Sequence, residues 1–427
     1  MKVVIVNKSD ATGGAAVVSS RLLAALRDAG VDARMLVVEK RLDSPFVERA
    51  ASSSQIRQAF LAERLKIFMA NGMNRDTLFK IDTASDGLPL WRNRYVREAD
   101  VICLNWVNQG MLSLTGLRKL MALGKPIVWT MHDMWCFTGI CHHAGECERY
   151  FAHCGDCPLL LQKASPSDLS NRIWQKKYDV YGLDGDDPKG TIHFVAVSNW
   201  LAAKARESSL LRNAPMSVIP NAFPFPEEKE LRKRSYESPS REHPFKIAFG
   251  AARLDDTVKG FPILIKVTEL LSREWPEETA AMELVTFGNI KDNSLLDRIA
   301  MPHRHLGVIA GDAAVRRIYE ECDAVLSTSL WETLPGTLVE GQAYGAIPVS
   351  FDRGGQSDIV DHEQTGYLAR WNDDPEQAAR NIAEGLIWAF HHHSPELTEH
   401  MRLSAQKKFA ADAVASRYMA LFKEVRR

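Results

Sequence analysis

The sequence has no run of about 18 consecutive apolar residues, so it offers no candidate membrane-spanning helix. It has no excess of one charge. Its 53 Lys and Arg stand against 54 Asp and Glu, which removes the electrostatic footprint of a dedicated nucleic-acid binder. It has no low-complexity tract, and a composition of 45% apolar and 25% charged residues is that of a packed globular chain. The opening, MKVVIVNKSDATGG, lacks the longer apolar segment and cleavage site of a signal peptide and reads as a strand and a loop. The cysteine count is not even: there are seven, five of them between Cys136 and Cys157, which argues against a secreted disulfide framework. A cytoplasmic protein is expected, and 427 residues exceed one typical core, so two domains are expected.

What is present is alternation. Short β-branched runs alternate with helical patterns, the signature of parallel sheets covered by helices on both faces. KVVIV is a first strand; a glycine-containing loop and AAVVSSRLLAALRDAG follow, with Val18, Leu22, Leu23 and Leu26 at helical spacing and a stop at Gly30. Further strands are expected at ARMLVV, DVICLNW, KPIVWTMH, HFVAVS and MSVIPN, and helices at LTGLRKLMALG and NWLAAKARES. These make a doubly wound first domain over 1–222. FPFPEEKELRKRSYESPSREH, residues 223–243, is charged and rich in Pro and Ser, and reads as a linker. The alternation restarts over 244–410 with strands at FKIAFGA, MELVTFG, HLGVI, DAVLSTS and IPVSF and helices at FPILIKVTELLS, AAVRRIYEEC and GTLVEGQAYG. A last helix, about 411–427, is expected to pack back on the first domain. Two such halves suggest a cleft between facing domains, with ligands at the carboxyl ends of the strands.

Residues 53–80 place Ile, Leu, Phe and Met among Arg and Lys at roughly helical spacing. They read either as an ordinary surface helix pair or as a face that touches a membrane or a lipid-linked substrate.

The stretch LWETLPGTLVEGQ puts Glu332 at the carboxyl end of a strand, Gly336 and Thr337 at a helix start, and Glu340 one turn further in. Free N–H groups at such a start bind anions such as phosphate, and both glutamates can face one cleft. The plainer alternative is an exposed Glu332 and a Glu340 that favours the helix dipole. FGAARLDDTVKGFPILI puts Arg253 and Lys259 in the loop after the second domain's first strand, an arrangement that suits a diphosphate. Gly13 and Gly14 form a glycine-rich loop without the GxGxxG fingerprint of dinucleotide binders.

Taken together, the Glu332 to Glu340 spacing, RLDDTVKGF, VSNWL with VIPNAF, GGAAVVSSRLL and GGQSDIV resemble the family 4 retaining glycosyltransferases of the GT-B fold, from Gly13 to about Tyr367. WVNQGMLSL, TMHDMWCFTG and ETLPGTLVE look like the enzymes of bacterial surface-polysaccharide assembly. The resemblance implies an α/β protein of two Rossmann-like domains. It implies a retaining hexosyltransferase that uses a nucleotide-diphosphate sugar, UDP-linked by expectation, and a glycan or polyprenyl-linked acceptor at the inner face of the cell membrane. Arg253 and Lys259 would neutralise the diphosphate, Glu340 would accept from the ribose, Glu332 would hold hydroxyls of the transferred sugar, and His132 would contact that sugar. Leu334, Gly336 and Thr337 would offer N–H groups; Pro335 departs from the commoner motif and has none. Gly13 and Gly14 would lie against the donor phosphates or the acceptor. Retention is expected by front-face displacement, since no nucleophile stands out, and no DxD-like motif near these loops calls for a catalytic metal. A GT-B UDP-sugar epimerase and a catalytically silent carbohydrate-binding protein are the alternatives.

CHHAGECERYFAHCGDC holds Cys141, Cys147, Cys154 and Cys157 in a C-x5-C-x6-C-x2-C pattern. Four thiols ending in CxxC suit a structural zinc; two disulfides or free thiols are the alternatives.

Overall fold

A computed structural model describes residues 1–182, 192–227, 229, 231 and 234–426. The chain divides into two compact units, one of Met1–Ala222 with Val414–Arg427 and one of Phe223–Ala413. In the first, β1 (Lys2–Ser9), β2 (Asp32–Glu39), β3 (Val47–Arg49), β4 (Val101–Leu104), β5 (Ile127–Met131), β6 (Ile192–Ala196) and β7 (Met216–Val218) form a sheet in the order β3-β2-β1-β4-β5-β6-β7. Every pairing is parallel. Around it run α1 (Gly14–Asp28), α2 (Ser53–Ala70), α3 (Arg94–Glu98), α4 (Leu114–Met121), α5 (Leu169–Tyr181) and α6 (Asn199–Glu207).

The second unit repeats the plan. β8 (Phe245–Arg253), β9 (Met282–Asn289), β10 (His303–His305), β11 (Ala324–Ser327), β12 (Ile347–Phe351) and β13 (Tyr367–Ala369) order as β10-β9-β8-β11-β12-β13, again all parallel. Its helices are α7 (Phe261–Glu274), α8 (Pro276–Ala280), α9 (Asp312–Glu321), α10 (Gly336–Ala343), α11 (Pro375–His392) and α12 (Pro395–Phe409). The strands IVWTM and IPVSF are buried at every position, as parallel strands covered on both faces must be. In each sheet the strand order reverses once, between β1 and β4 and between β8 and β11. Such switch points open crevices at the carboxyl ends of the strands.

The last helix, α13 (Ala411–Val425), joins the first unit from Val414 onwards, where the Tyr418 and Thr130 hydroxyls are 2.9 Å apart. Three expectations need correction. Of the expected linker 223–243, residues 228, 230, 232 and 233 lie outside the described residues, and Arg234 is tied down: its guanidinium donates to the carbonyls of Tyr319, Cys322 and Tyr344 at 2.7–2.9 Å and pairs with Asp323 at 3.3 Å. A polar composition hid this tie, because an arginine with this many carbonyl partners can be buried. The strand expected at HLGVI runs instead over His303–His305, because Gly307 takes a left-handed φ of 70° and ends the extended chain. Residues 53–80 make one helix rather than two, since Gly72 and Met73 at φ 64° and 63° turn the chain out of α2.

α2 is inverted relative to an ordinary surface helix. Glu63, Arg64 and Ile67 are buried, while Leu61, Leu65 and Met69 are 52%, 57% and 66% exposed. Arg64 can turn inwards because Asp82 meets it at 2.9 Å and the Leu78 carbonyl at 2.6 Å. Burial beside Asp82 pushes the Glu63 carboxyl up to about 8, so it enters this cluster protonated at neutral pH. No helix among the described residues is long and apolar enough to cross a membrane.

Candidate active site

The loops after β8 and β11 flank the second unit's switch point and are stitched together. The Thr328 hydroxyl donates to the carbonyls of Lys259 and Gly260 at 2.9 and 3.1 Å, and Leu330 N–H donates to the Val258 carbonyl at 2.8 Å. Gly260 sits at φ 67°, where a Cβ would stand 2.1 Å from the Thr328 carbonyl oxygen, so this approach needs glycine. The result is a contact across 73 positions of sequence: Lys259 Nζ lies 2.5 Å from Glu332 Oε1. Their side chains are 32% and 19% exposed, so the pair faces solvent rather than core.

A third loop supports Glu332 from behind. Gly355 N–H donates to the Glu332 carbonyl at 3.0 Å, and a Cβ on Gly354 would come within 2.3 Å of that oxygen. Nearby, the Arg353 guanidinium lies 4.4 Å over the Trp331 ring and 3.9 Å over the Trp371 ring. Gln356 is fully buried, with neither amide atom hydrogen-bonded within the described residues. Arg253 ends β8 and is held in its own loop by Asp255 and Asp256 at 3.3 and 3.4 Å.

α10 begins at Gly336 with no side-chain cap, which leaves its first N–H groups directed out of the helix end. Pro335 is explained by this position. It is the residue just before the helix, at φ −68°, where no N–H is required, and its carbonyl accepts from Leu338 N–H at 3.2 Å. Leu334 is buried beneath the turn, and Thr337 and Glu340 are partly exposed on α10. Thus Arg253, Lys259, Glu332, Leu334, Gly336, Thr337 and Glu340 all lie at one sheet edge of the second unit.

Gly13, Gly14 and His132 belong to the first unit, again at the carboxyl ends of strands. Gly13, at φ 90°, precedes α1, whose start carries no side-chain cap, and a Cβ on either glycine would meet nothing within 4 Å. Internal packing therefore does not require these glycines, and the space over them is open. His132 Nε2 is 2.8 Å from Asn105 Oδ1. Burial pushes its pKa down to about 4 against the pull of Asp133, so at neutral pH the ring is uncharged and suited to a hydroxyl.

Motif reading missed the network beside it. Asp133 accepts from Trp106 Nε1 at 2.8 Å and pairs with His142 Nδ1 at 2.7 Å. Burial would raise the Asp133 carboxyl, but His142 overrides it and holds it well below the usual range; Asp133 in turn lifts His142 above its ordinary value against burial. The available signal was the HD in TMHD followed by CHH. Among the described residues no disulfide joins the four clustered cysteines or Cys103, Cys136 and Cys322, and burial pushes Cys141 and Cys154 up to about 12 and 11.

With this geometry in place, similarity to known proteins is informative. Residues 246–386, which include the whole second-unit cluster, match the family model of glycosyl transferases group 1. Over 153 residues the chain is 25% identical to a glycogen synthase of Pseudomonas aeruginosa, a match covering 34% of this chain and 28% of that enzyme. The match thus takes in less than a third of that relative's length. Among solved structures, Anabaena HepE in complex with UDP superposes with a TM-score of 0.58 at 16% identity, covering 99% of this chain and 100% of that one. The apo lipopolysaccharide outer core galactosyltransferase WaaB gives 0.58 at 15%, covering 99% and 100%. The sucrose-phosphate synthase of Thermosynechococcus elongatus gives 0.58 at 14%, covering 100% and 99%. At such identities the likeness establishes the fold: the chain is a GT-B protein of two Rossmann-like α/β units.

Proposed function

We propose that the chain is a retaining hexosyltransferase that moves a sugar from a UDP-sugar to a glycan or polyprenyl-linked glycan in cell-surface polysaccharide assembly. The observation that carries the reading is the Lys259–Glu332 pair at 2.5 Å, set at the β8/β11 switch point beside the uncapped start of α10. A cation and outward N–H groups meet a diphosphate, and a carboxylate in reach of the same place meets sugar hydroxyls. HepE has been solved with UDP and with UDP-glucose, which supports a UDP-linked donor for this related fold.

In this reading Lys259 and Arg253 neutralise the departing diphosphate and the N–H groups of Leu334, Gly336 and Thr337 bind its oxygens. Glu340 accepts from the ribose and Glu332 from the sugar, while neutral His132 offers a hydrogen bond to a sugar hydroxyl. The acceptor hydroxyl attacks the anomeric carbon from the face the diphosphate leaves. The new C–O bond forms as the old one breaks, and the acceptor's proton passes to a phosphate oxygen. Positioning and charge stabilisation carry the catalysis, with no catalytic metal assigned. The outward Leu61, Leu65 and Met69 of α2, flanked by exposed Arg57 and Lys66, support a peripheral membrane contact and a lipid-linked acceptor.

Incubation of the purified protein with a panel of UDP- and GDP-sugars tests this. Release of UDP from one donor is expected, with the α or β configuration of that donor kept in the product by proton NMR. Interconversion of sugars without release would make the protein an epimerase, and neither outcome would leave a binding module.

A further inference from the structure

Cys141, Cys147, Cys154 and Cys157 all line one cavity of about 20 Å³ in the first unit, together with Ile140 and Tyr150. That is room for roughly one atom-sized guest. One backbone donor already points at a sulfur. Gly139 N–H donates to Cys154 Sγ at 3.1 Å. The backbones on either side are fixed by the cap of α5: Asp168 accepts from Cys157 N–H at 2.8 Å, and Asn171 donates to the Cys154 carbonyl at 2.7 Å.

Beside the cavity stands a buried charge. Lys177, on α5, is 0% exposed; its ammonium donates to the carbonyls of Trp135 and Thr138 at 2.5 and 3.0 Å, and among the described residues it forms no ion pair with a carboxylate. The ammonium also lies 3.3 Å from the centre of the Trp135 ring, so carbonyl dipoles and an aromatic face hold it, with no carboxylate in contact. Cys136, Cys141 and Cys154 are all within its electrostatic reach.

We propose that these four cysteines bind one zinc ion as a tetrahedral tetrathiolate, whose net negative charge would lie within electrostatic reach of Lys177. Binding releases four thiol protons to solvent and forms four Zn–S bonds, with no change of oxidation state. Among the described residues no set of three or more His, Cys, Asp or Glu side chains is drawn together tightly enough to hold an ion as it stands. The ion therefore requires the four thiols that line the cavity to draw closer together than they stand. The ion has a structural consequence for the site. His142 follows Cys141 directly and its ring holds Asp133, the neighbour of His132, so zinc fixes the loop that positions that network.

Elemental analysis of the full chain, purified without chelator and with zinc supplied, is the test. About one zinc per chain is expected, falling at least tenfold in a Cys154→Ser/Cys157→Ser variant. On the unmodified protein, a mercurial reagent should release one zinc equivalent to a chromogenic chelator, which keeps the test independent of whether the variant folds. Zinc below about one-tenth per chain would overturn the proposal. So would an intact mass showing that freshly purified protein had lost four hydrogens to two disulfides.

Discussion

Lys259 and Glu332 touch each other, yet only the replacement of Lys259 is expected to weaken nucleotide binding. In Lys259→Ala the 2.5 Å ion pair is lost, but both side chains are partly exposed, so the cost to folding is about 1 kcal/mol or less. For a unit of this size that lowers the melting temperature by roughly 2–4 °C. Loss of a charge-assisted contact to the diphosphate costs about 1.5–3 kcal/mol, so the Kd for UDP should rise roughly 10- to 100-fold. Turnover should fall by about 100-fold, the cost of removing one positioned donor to developing charge. Glu332→Ala leaves the ammonium without its carboxylate. UDP, which has no sugar for Glu332 to hold, should then bind as well as before or several-fold more tightly, while sugar transfer falls by about the same factor as in Lys259→Ala. Titration calorimetry with UDP, melting curves and UDP release together measure all three quantities. If Lys259→Ala binds UDP within twofold of the native protein, or if Glu332→Ala weakens UDP as much as Lys259→Ala does, the assignment of charge to one residue and sugar to the other is wrong.

Gly354→Ala places a Cβ 2.3 Å from the Glu332 carbonyl oxygen and must displace that loop. A loss of about 1–3 kcal/mol, read as a drop of several degrees in melting temperature, should accompany reduced turnover, and a native melting curve would show that the loops do not meet this way. His132 has a folded pKa of about 4, below its ordinary value. The unfolded chain therefore takes up the proton first, and this residue's contribution to stability is complete above about pH 6.5 and is lost as pH falls towards 4, by at most about 3 kcal/mol. Chemical denaturation of His132→Gln at pH 7 and pH 4.5 should show a smaller acid loss than the native chain, whose Asp133 and His142 remain common to both; equal losses would refute the burial of a neutral ring. Leu65→Glu with Met69→Glu should cut flotation with anionic lipid vesicles at least tenfold at an unchanged melting temperature, because both side chains are already 57% and 66% exposed. A native protein that does not float would remove the membrane reading.

Where sequence reasoning went astray, the cause was a partner far along the chain. Arg234 reads as one more charge in a polar stretch until the carbonyls of Tyr319, Cys322 and Tyr344 are brought around it. Glu63 and Arg64 carry no local mark of burial in the sequence of α2, and Asp82 and the Leu78 carbonyl make it possible to bury Arg64. Asp133 had no role in the motif reading, because His142 reaches it through a loop whose course no local pattern reports.

The sequence by itself determined the elements and their class: β-branched runs long enough for strands, helical spacing between them, and glycine, proline and charged residues gathered in the loops where strands end. Those are local properties, set by backbone propensity and the period of apolar residues. It also determined that Arg253, Lys259, Glu332 and the start of α10 lie at the ends of strands. Tertiary structure alone decided that two of those ends are adjacent, because β11 pairs with β8 rather than with β10, the strand before it in sequence. Parallel pairing is specified by burial on both faces of a sheet, a property of the whole unit. That choice brings Lys259 to Glu332 across 73 residues.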